Sequence, residues 1–174
     1  MNLTQDLFKM YFKNEINFEE FVAKLGIKEN HFIDCLQVEI EKTCKDRNAD
    51  RLENLIYVLF LIDDKTIGDD ISELERFVKT LNELVVSDWH TQHENIVLLL
   101  QKISSADSLD YLYDAIKLKP QYLSWDENYA FEVKCVRAIY QIGKENAIKY
   151  LEELSINENK VISEVAQRQI KKLF

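Results

Sequence analysis

The chain is poor in the two residues that most often interrupt helices. It contains three glycines and one proline in 174 residues, far below the usual shares of roughly 7% and 5%. Strand-type alternation of apolar and polar residues is also hard to find, whereas helix formers are abundant. These shortages argue against a turn-rich β fold and predict an all-α chain of about ten helices.

The sequence also lacks the features of secreted and membrane-spanning chains. Its three cysteines have no CxxC spacing, so they fit apolar core positions in a reducing compartment better than a disulfide framework. The first residues show no basic region followed by an apolar run, and the longest apolar run, residues 55–62, is too short to span a bilayer. We therefore expect a cytoplasmic chain with no membrane contact.

Basic stripes are missing as well. The net charge is −9, and residues 1–88 hold 19 acidic and 11 basic side chains, so that half carries nearly all of it. A nucleic-acid binder needs cations to replace the counterions of the phosphates. We therefore expect no direct nucleic-acid binding and a basic protein as the partner.

Catalytic motifs are equally scarce. No serine lies in a GxSxG motif, no glycine-rich loop is present to hold a phosphate, and no cysteine has a nearby histidine pattern. Three histidines leave little material for a general base. We expect no catalytic residue and no cofactor.

A segment that occurs twice at a spacing of 39 residues is the main positive feature. Short breaks at residues 104–106 and 143–145 divide each copy into two helical halves. Such a repeat predicts a right-handed α-solenoid of helical hairpins, with an irregular helical region over residues 1–86 and repeats over residues 87–174 in one continuous solenoid. The aligned apolar positions are Ile96, Ile103, Leu109, Tyr111 and Leu112 in the first copy and Cys135, Ile142, Ile148, Tyr150 and Leu151 in the second.

Apolar periodicity places the individual helices. Four pairs spaced three residues apart fit capping boxes, at residues 17 and 20, 91 and 94, 124 and 127, and 155 and 158. A short helix follows the first of these boxes. The other predicted helices cover residues 3–12, 29–44, 50–62, 71–85, 91–103, 107–118, 126–142, 146–154 and 159–173.

Three stretches resemble a known family. They are Trp-His-Thr-Gln-His-Glu at residues 89–94, Lys134-Cys135, and Ile-Gly-Lys-Glu-Asn-Ala at residues 142–147. Together they resemble bacterial HEAT-repeat proteins of the phycobilisome-lyase-like type, over residues 87–174. The resemblance implies that an Ile-Gly turn and a following alanine join the two helices of a repeat. Small proteins with this opening are similar to immunity proteins of polymorphic toxin systems.

His90, His93 and Glu94 form the most enzyme-like cluster. On a helix the two histidines would share a face, but neither HExxH nor HxxEH spacing is present to complete a metal site. The alternative is a helix start with Thr91 as the cap and Glu94 in the first turn. We favour that alternative and predict no metal site.

The acidic segment and the two tryptophans each allow two interpretations. The acidic segment over residues 63–75 is either a solvated inter-helix loop or a patch that meets a basic partner. Trp89 and Trp125 each precede a predicted helix, and each either packs on that helix or serves as an exposed anchor for a partner.

These observations predict a non-catalytic protein-binding solenoid, and more specifically an immunity protein that occludes the active site of a basic toxin domain such as a nuclease. The alternatives are a small metal-dependent enzyme that uses His90, His93 and Glu94, or a general interaction adaptor. The predicted partner-binding residues are Asp63, Asp64, Asp69, Asp70, Glu73, Trp89, His90, His93, Trp125 and Asp126.

Overall fold

A computed structural model describes residues 7, 10–11, 13, 15–24, 32–65 and 72–174, without the side chains of Phe18, Ser72 and residues 61–65. Every regular element in these ranges is a helix, and they contain no strand. The prediction of an all-α chain is therefore confirmed. The chain forms two compact units, Met1–Thr66 and Ile67–Phe174, which divide earlier than the predicted boundary at residue 86.

The first unit contains three described helices: α1 (Phe18–Lys24), α2 (Phe32–Asp46) and α3 (Ala49–Lys65). The capping box before α1 is confirmed, since the Asn17 side chain accepts from the Glu20 amide at 2.8 Å and the Glu20 carboxylate accepts from the Asn17 amide at 3.0 Å. Helices α2 and α3 pack together around an apolar core. That core includes Phe32, Leu36, Ile40, Leu52, Ile56 and Leu59. Most of the helix predicted over residues 3–12 lies outside the described residues.

The second unit contains seven helices among its described residues. They are α4 (Ser72–Glu75), α5 (Val78–Val85), α6 (His93–Ile103), α7 (Leu109–Ala115), α8 (Ala130–Gly143), α9 (Ile148–Ser155) and α10 (Lys160–Ile170). Short 3₁₀ turns, Ala106–Ser108 and Lys144–Ala147, precede α7 and α9, so both copies of the 39-residue segment have the same order of elements. Helix α6 packs on α8, α8 packs on α10, and α5 packs on α7.

One predicted helix is interrupted. Residues 71–85 were expected to form a single helix, but a turn at Arg76 and Phe77 separates α4 from α5. The Phe77 amide donates to the Leu74 carbonyl at 3.0 Å, which closes a three-residue turn. Because such a turn brings residues three apart onto one side, Leu74 and Phe77 are both buried.

Three predicted capping boxes do not form. Helix α6 begins at His93 and not at Thr91, and the side chain of Gln92 at the cap position makes no capping bond to the helix backbone. Helix α8 begins at Ala130, four residues later than predicted, and α10 begins at Lys160 with Asn159 as its cap. The Asn159 side chain accepts from the Val161 amide at 2.9 Å and so replaces Ser155 in that role.

The end of α8 requires a residue without a side chain. A Cβ atom on Gly143 would lie 2.8 Å from the Cβ of Ala147 and 3.2 Å from Leu109 of the preceding copy. Gly143 itself has ordinary helical angles, φ −82° and ψ −26°, so its role is steric. The corresponding position in the first copy, Ser104, has a left-handed backbone with φ 61°.

We expect Gly143→Ala and Ser104→Gly to have opposite effects on the free energy of unfolding. The alanine gains about 1 kcal/mol of helix propensity, but overpacking costs roughly 1–3 kcal/mol; we expect a net loss of about 1 kcal/mol. Ser104→Gly removes the strain of a left-handed serine and should gain about 0.5 kcal/mol. Urea unfolding of both variants checks this, and a stabilising Gly143→Ala would contradict the steric reading.

Candidate functional site

The predicted acidic segment is only partly described. Asp63 and Asp64 belong to the last turn of α3, which runs three residues beyond the predicted helix end, and their side chains lie outside the described residues. Asp69 and Asp70 also lie outside them. Glu73 is exposed on α4, where its carboxylate pairs with Arg76 at 3.3 Å. A role of this segment in binding stays a prediction.

His90 and His93 lie at the junction between α5 and α6. The last carbonyl groups of a helix lack partners within the helix, and the two imidazoles supply donors at this end. His90 Nε2 lies 2.9 Å from the Leu84 carbonyl oxygen, and His93 Nε2 lies 2.6 Å from that of Ser87. Because a carbonyl only accepts, both rings carry their proton on Nε2.

The other nitrogen of each ring is also occupied. His90 Nδ1 accepts from the Gln92 amide at 3.1 Å, and His93 Nδ1 lies 3.3 Å from the Tyr122 hydroxyl. The two imidazole rings stack on each other with their centroids 4.4 Å apart. His93 also meets Phe131 of α8 edge to face. The pair thus connects α5, α6 and the start of the next copy.

Burial keeps both imidazoles neutral. It lowers the pKa of His90 to about 4, and the neighbouring His93 adds to that effect while the Leu84 carbonyl opposes it. The pKa of His93 is also lowered by burial, against the opposing effects of the Ser87 carbonyl and Asp88. A neutral pair is consistent with the observed bonds, since a protonated Nδ1 of His90 would point its hydrogen at the Gln92 amide.

The structure therefore corrects the predicted role of both histidines. His90 is 3% exposed and His93 is 0% exposed, so neither offers a surface to a partner. The adjacent Glu94 pairs with Lys134 of α8 at 2.6 Å. In the part of the chain that the structure describes, no three His, Cys, Asp or Glu side chains form a group that could hold a metal ion.

The two tryptophans have different environments. Trp89 is half-buried and meets the His90 ring edge to face, with centroids 5.0 Å apart. Trp125 is 77% exposed, so the prediction that it packs on its own helix is wrong. Its exposure is compatible with a role as an anchor for a partner. Asp126 holds the segment beside it, because its carboxylate accepts from the Asn128 and Ala130 amides at 2.9 and 2.8 Å.

Side-chain bonds between residues 40 positions apart connect the two copies. Glu94 to Lys134 and Gln101 to Gln141 join α6 to α8. The Tyr150 hydroxyl donates to Asp110, and the Tyr113 hydroxyl donates to Glu153, each at 2.6 Å, and these bonds join α7 to α9. The first helices of the copies are thus linked to each other, and so are the second helices.

These links, together with the packing of α8 on α10 and of α5 on α7, define two rows of helices in the second unit. The first-helix row consists of α6, α8 and α10, and the second-helix row consists of α5, α7 and α9 with the 3₁₀ turns before α7 and α9. The first-helix row has three acidic and five basic side chains, whereas the second-helix row has seven acidic and three basic ones. The seven acidic residues are all exposed: Glu83, Asp107, Asp110, Asp114, Glu145, Glu152 and Glu153.

This acidic row is the functional candidate that the sequence analysis missed. The net charges of the two halves of the chain do not reveal this row, because the charge difference lies between alternate helices. Assigning each charge to the first or second helix of its repeat would have revealed it. Part of the row is concave, since Tyr150, Lys149 and Glu152 of α9 line a shallow depression with Glu145 and Leu109.

Comparisons of the chain with protein-family models, with curated proteins and with solved structures find no significant match. The family resemblance of residues 87–174 therefore stays a prediction. Among the described residues, no helix is both long and apolar enough to cross a membrane.

We expect Zn²⁺ and Ni²⁺ to leave the melting temperature unchanged, because all four ring nitrogens of His90 and His93 face protein groups. A cation that binds only the native state would raise the melting temperature with its concentration. Thermal unfolding with each metal, against Mg²⁺ as a control, measures this. A rise in the native chain that disappears in both His90→Gln and His93→Gln would contradict the expectation.

Proposed function

We propose that this chain is a non-catalytic binding protein whose second unit is a right-handed α-solenoid and whose acidic second-helix row receives a basic protein partner. The solenoid arrangement is supported by the packing of α6 on α8 and of α8 on α10. It is also supported by the hydrogen bonds between counterparts of the two copies. Repeat proteins of this kind commonly bind partners along an extended surface.

The unequal charge of the two rows is the observation that carries the proposal. Four carboxylates of the second-helix row, on Glu83, Asp107, Glu145 and Glu152, make no hydrogen bond or ion pair to any described residue. They therefore keep their charge available to an approaching cation. Complementary charge speeds association and orients the partners, while buried aromatic anchors slow release.

The more specific proposal is an immunity protein that neutralises a bacterial toxin in the cytoplasm. It is supported by the resemblance of residues 87–174 and by the acidic surface. A basic cleft that binds nucleic acid would be complementary to this surface, so occlusion of a nuclease active site fits best. One protein would block one toxin, without chemistry.

Charge neutralisation tests which surface binds. We expect the combined variant Glu83→Gln, Asp107→Asn, Glu145→Gln and Glu152→Gln to slow association roughly tenfold at low salt. A matched variant removes four exposed acidic groups elsewhere in the unit, with Asp88→Asn, Glu127→Gln, Glu158→Gln and Glu164→Gln. Because both variants change the net charge equally, only a local effect of the second-helix row separates them.

The probe is the C-terminal fragment encoded by the gene next to this one, and the measurement is stopped-flow association at low and high salt. The proposal predicts binding whose on-rate falls steeply with salt in the native chain. Equal slowing by both variants would remove the assignment to the second-helix row. A fragment that binds with no salt dependence would remove the electrostatic mechanism.

Trp125 generates a separate prediction. Because its ring is 77% exposed, Trp125→Ala should leave the free energy of unfolding within about 0.5 kcal/mol of the native value. If Trp125 anchors the partner, the same change weakens binding by about 2 kcal/mol, mainly through faster dissociation. Leu98→Ala, at a residue 40% exposed on α6, is the control. Equal dissociation rates for both variants would exclude the anchor.

A further inference from the structure

The paired histidines do more than fill space at the junction between α5 and α6. His90 donates to the Leu84 carbonyl in the last turn of α5, and His93 donates to the Ser87 carbonyl just beyond that helix. His90 also accepts from the amide of Gln92, the cap residue of α6. The bonds of His90 require its neutral form, because a proton on Nδ1 removes the only described acceptor of the Gln92 amide. Two charged rings stacked 4.4 Å apart would also repel each other.

We infer that His90 and His93 form an acid-sensitive latch, which holds α5 against α6 at neutral pH and releases it when the pair takes up protons. Release would uncover Leu81, Leu84 and Val85, which α5 buries in this unit. The inference is independent of the proposed binding function, since it concerns only the packing of two helices.

The charged and titratable groups around the pair do not replace the neutral bonds. From the junction, Asp88 favours a charged His93 but has no comparable effect on His90. From α6, Glu94 is paired with Lys134 of α8. From the turn Gln121–Leu123, Tyr122 has a pKa raised to about 12 by burial and by Glu94, so it stays protonated. Its oxygen remains able to accept from a charged His93, which makes His93 the easier ring to protonate.

The direction of the pH effect follows from the lowered pKa values. An unfolded or released histidine takes up a proton near pH 6.5, whereas the buried His90 does so only at about pH 4. The latch is therefore fully effective above about pH 6.5 and weakens as the pH falls towards 4. For each proton taken up on release, the equilibrium shifts about tenfold per pH unit in this window.

Amide hydrogen exchange of the full chain tests the latch. We expect protection factors over residues 78–97, corrected for intrinsic rates, to fall by about tenfold or more between pH 6.5 and pH 5. Amides of α9 and α10, which contain no histidine, should change far less. A fall of equal size in α9 and α10, or no fall over residues 78–97, would overturn the inference.

The double variant His90→Gln and His93→Gln supplies the second arm. Glutamine retains a donor near the position of Nε2 and does not titrate. The protection factors of the double variant over residues 78–97 should therefore be the same at pH 6.5 and pH 5. An unchanged acid response would overturn the latch. If the variant does not fold, NMR titration of the two imidazole rings in the native chain tests the latch. The latch would be excluded if both rings took up protons near pH 6.5 while the amides of α5 and α6 stayed protected from exchange.

Discussion

The second unit depends on the packing of the first helices of successive copies, α6 on α8 and α8 on α10. Buried residues such as Ile96, Leu100, Cys135 and Ile139 supply the apolar contact, and polar pairs 40 residues apart fix the register at the rim. The rim pairs are exposed or half-buried, so each adds little to stability. Their value lies in matching the helices, because a shifted helix would lose all of them together.

The same register places the junctions between copies, where helix ends need partners. At the first junction two imidazoles donate to carbonyl groups, and at the second the Asp126 carboxylate accepts from the amides of Asn128 and of Ala130, the first residue of α8. Side chains thus supply hydrogen-bond donors at the first junction and an acceptor at the second. The first junction therefore depends on two imidazoles, whose charge responds to acidification.

Features that depend on residues close together in the sequence were predicted better than features that depend on contacts between distant residues. The Asn17 capping box and the order of the repeated elements are confirmed because they depend on residues close in sequence. The prediction of Thr91 as the cap of α6 was wrong, because the helix begins at His93. The groups that hold His90 and His93 are Leu84 and Ser87 upstream and Tyr122 downstream, which the residues around Thr91 do not indicate. The exposure of Trp125 likewise depends on where α8 begins, which the Asp126 side chain decides. No short motif contains that information.

The unequal charge of the two helix rows has a consequence for the approach of another molecule. Since basic groups prevail on α6, α8 and α10 and acidic groups prevail on α5, α7 and α9, the second unit carries an electric dipole directed between the rows. A dipole in the field of a charged body experiences a torque, and at low salt this field extends for tens of ångströms. A basic partner would therefore turn the unit to face it with the second helices, and orientation would be selected before any two side chains touch.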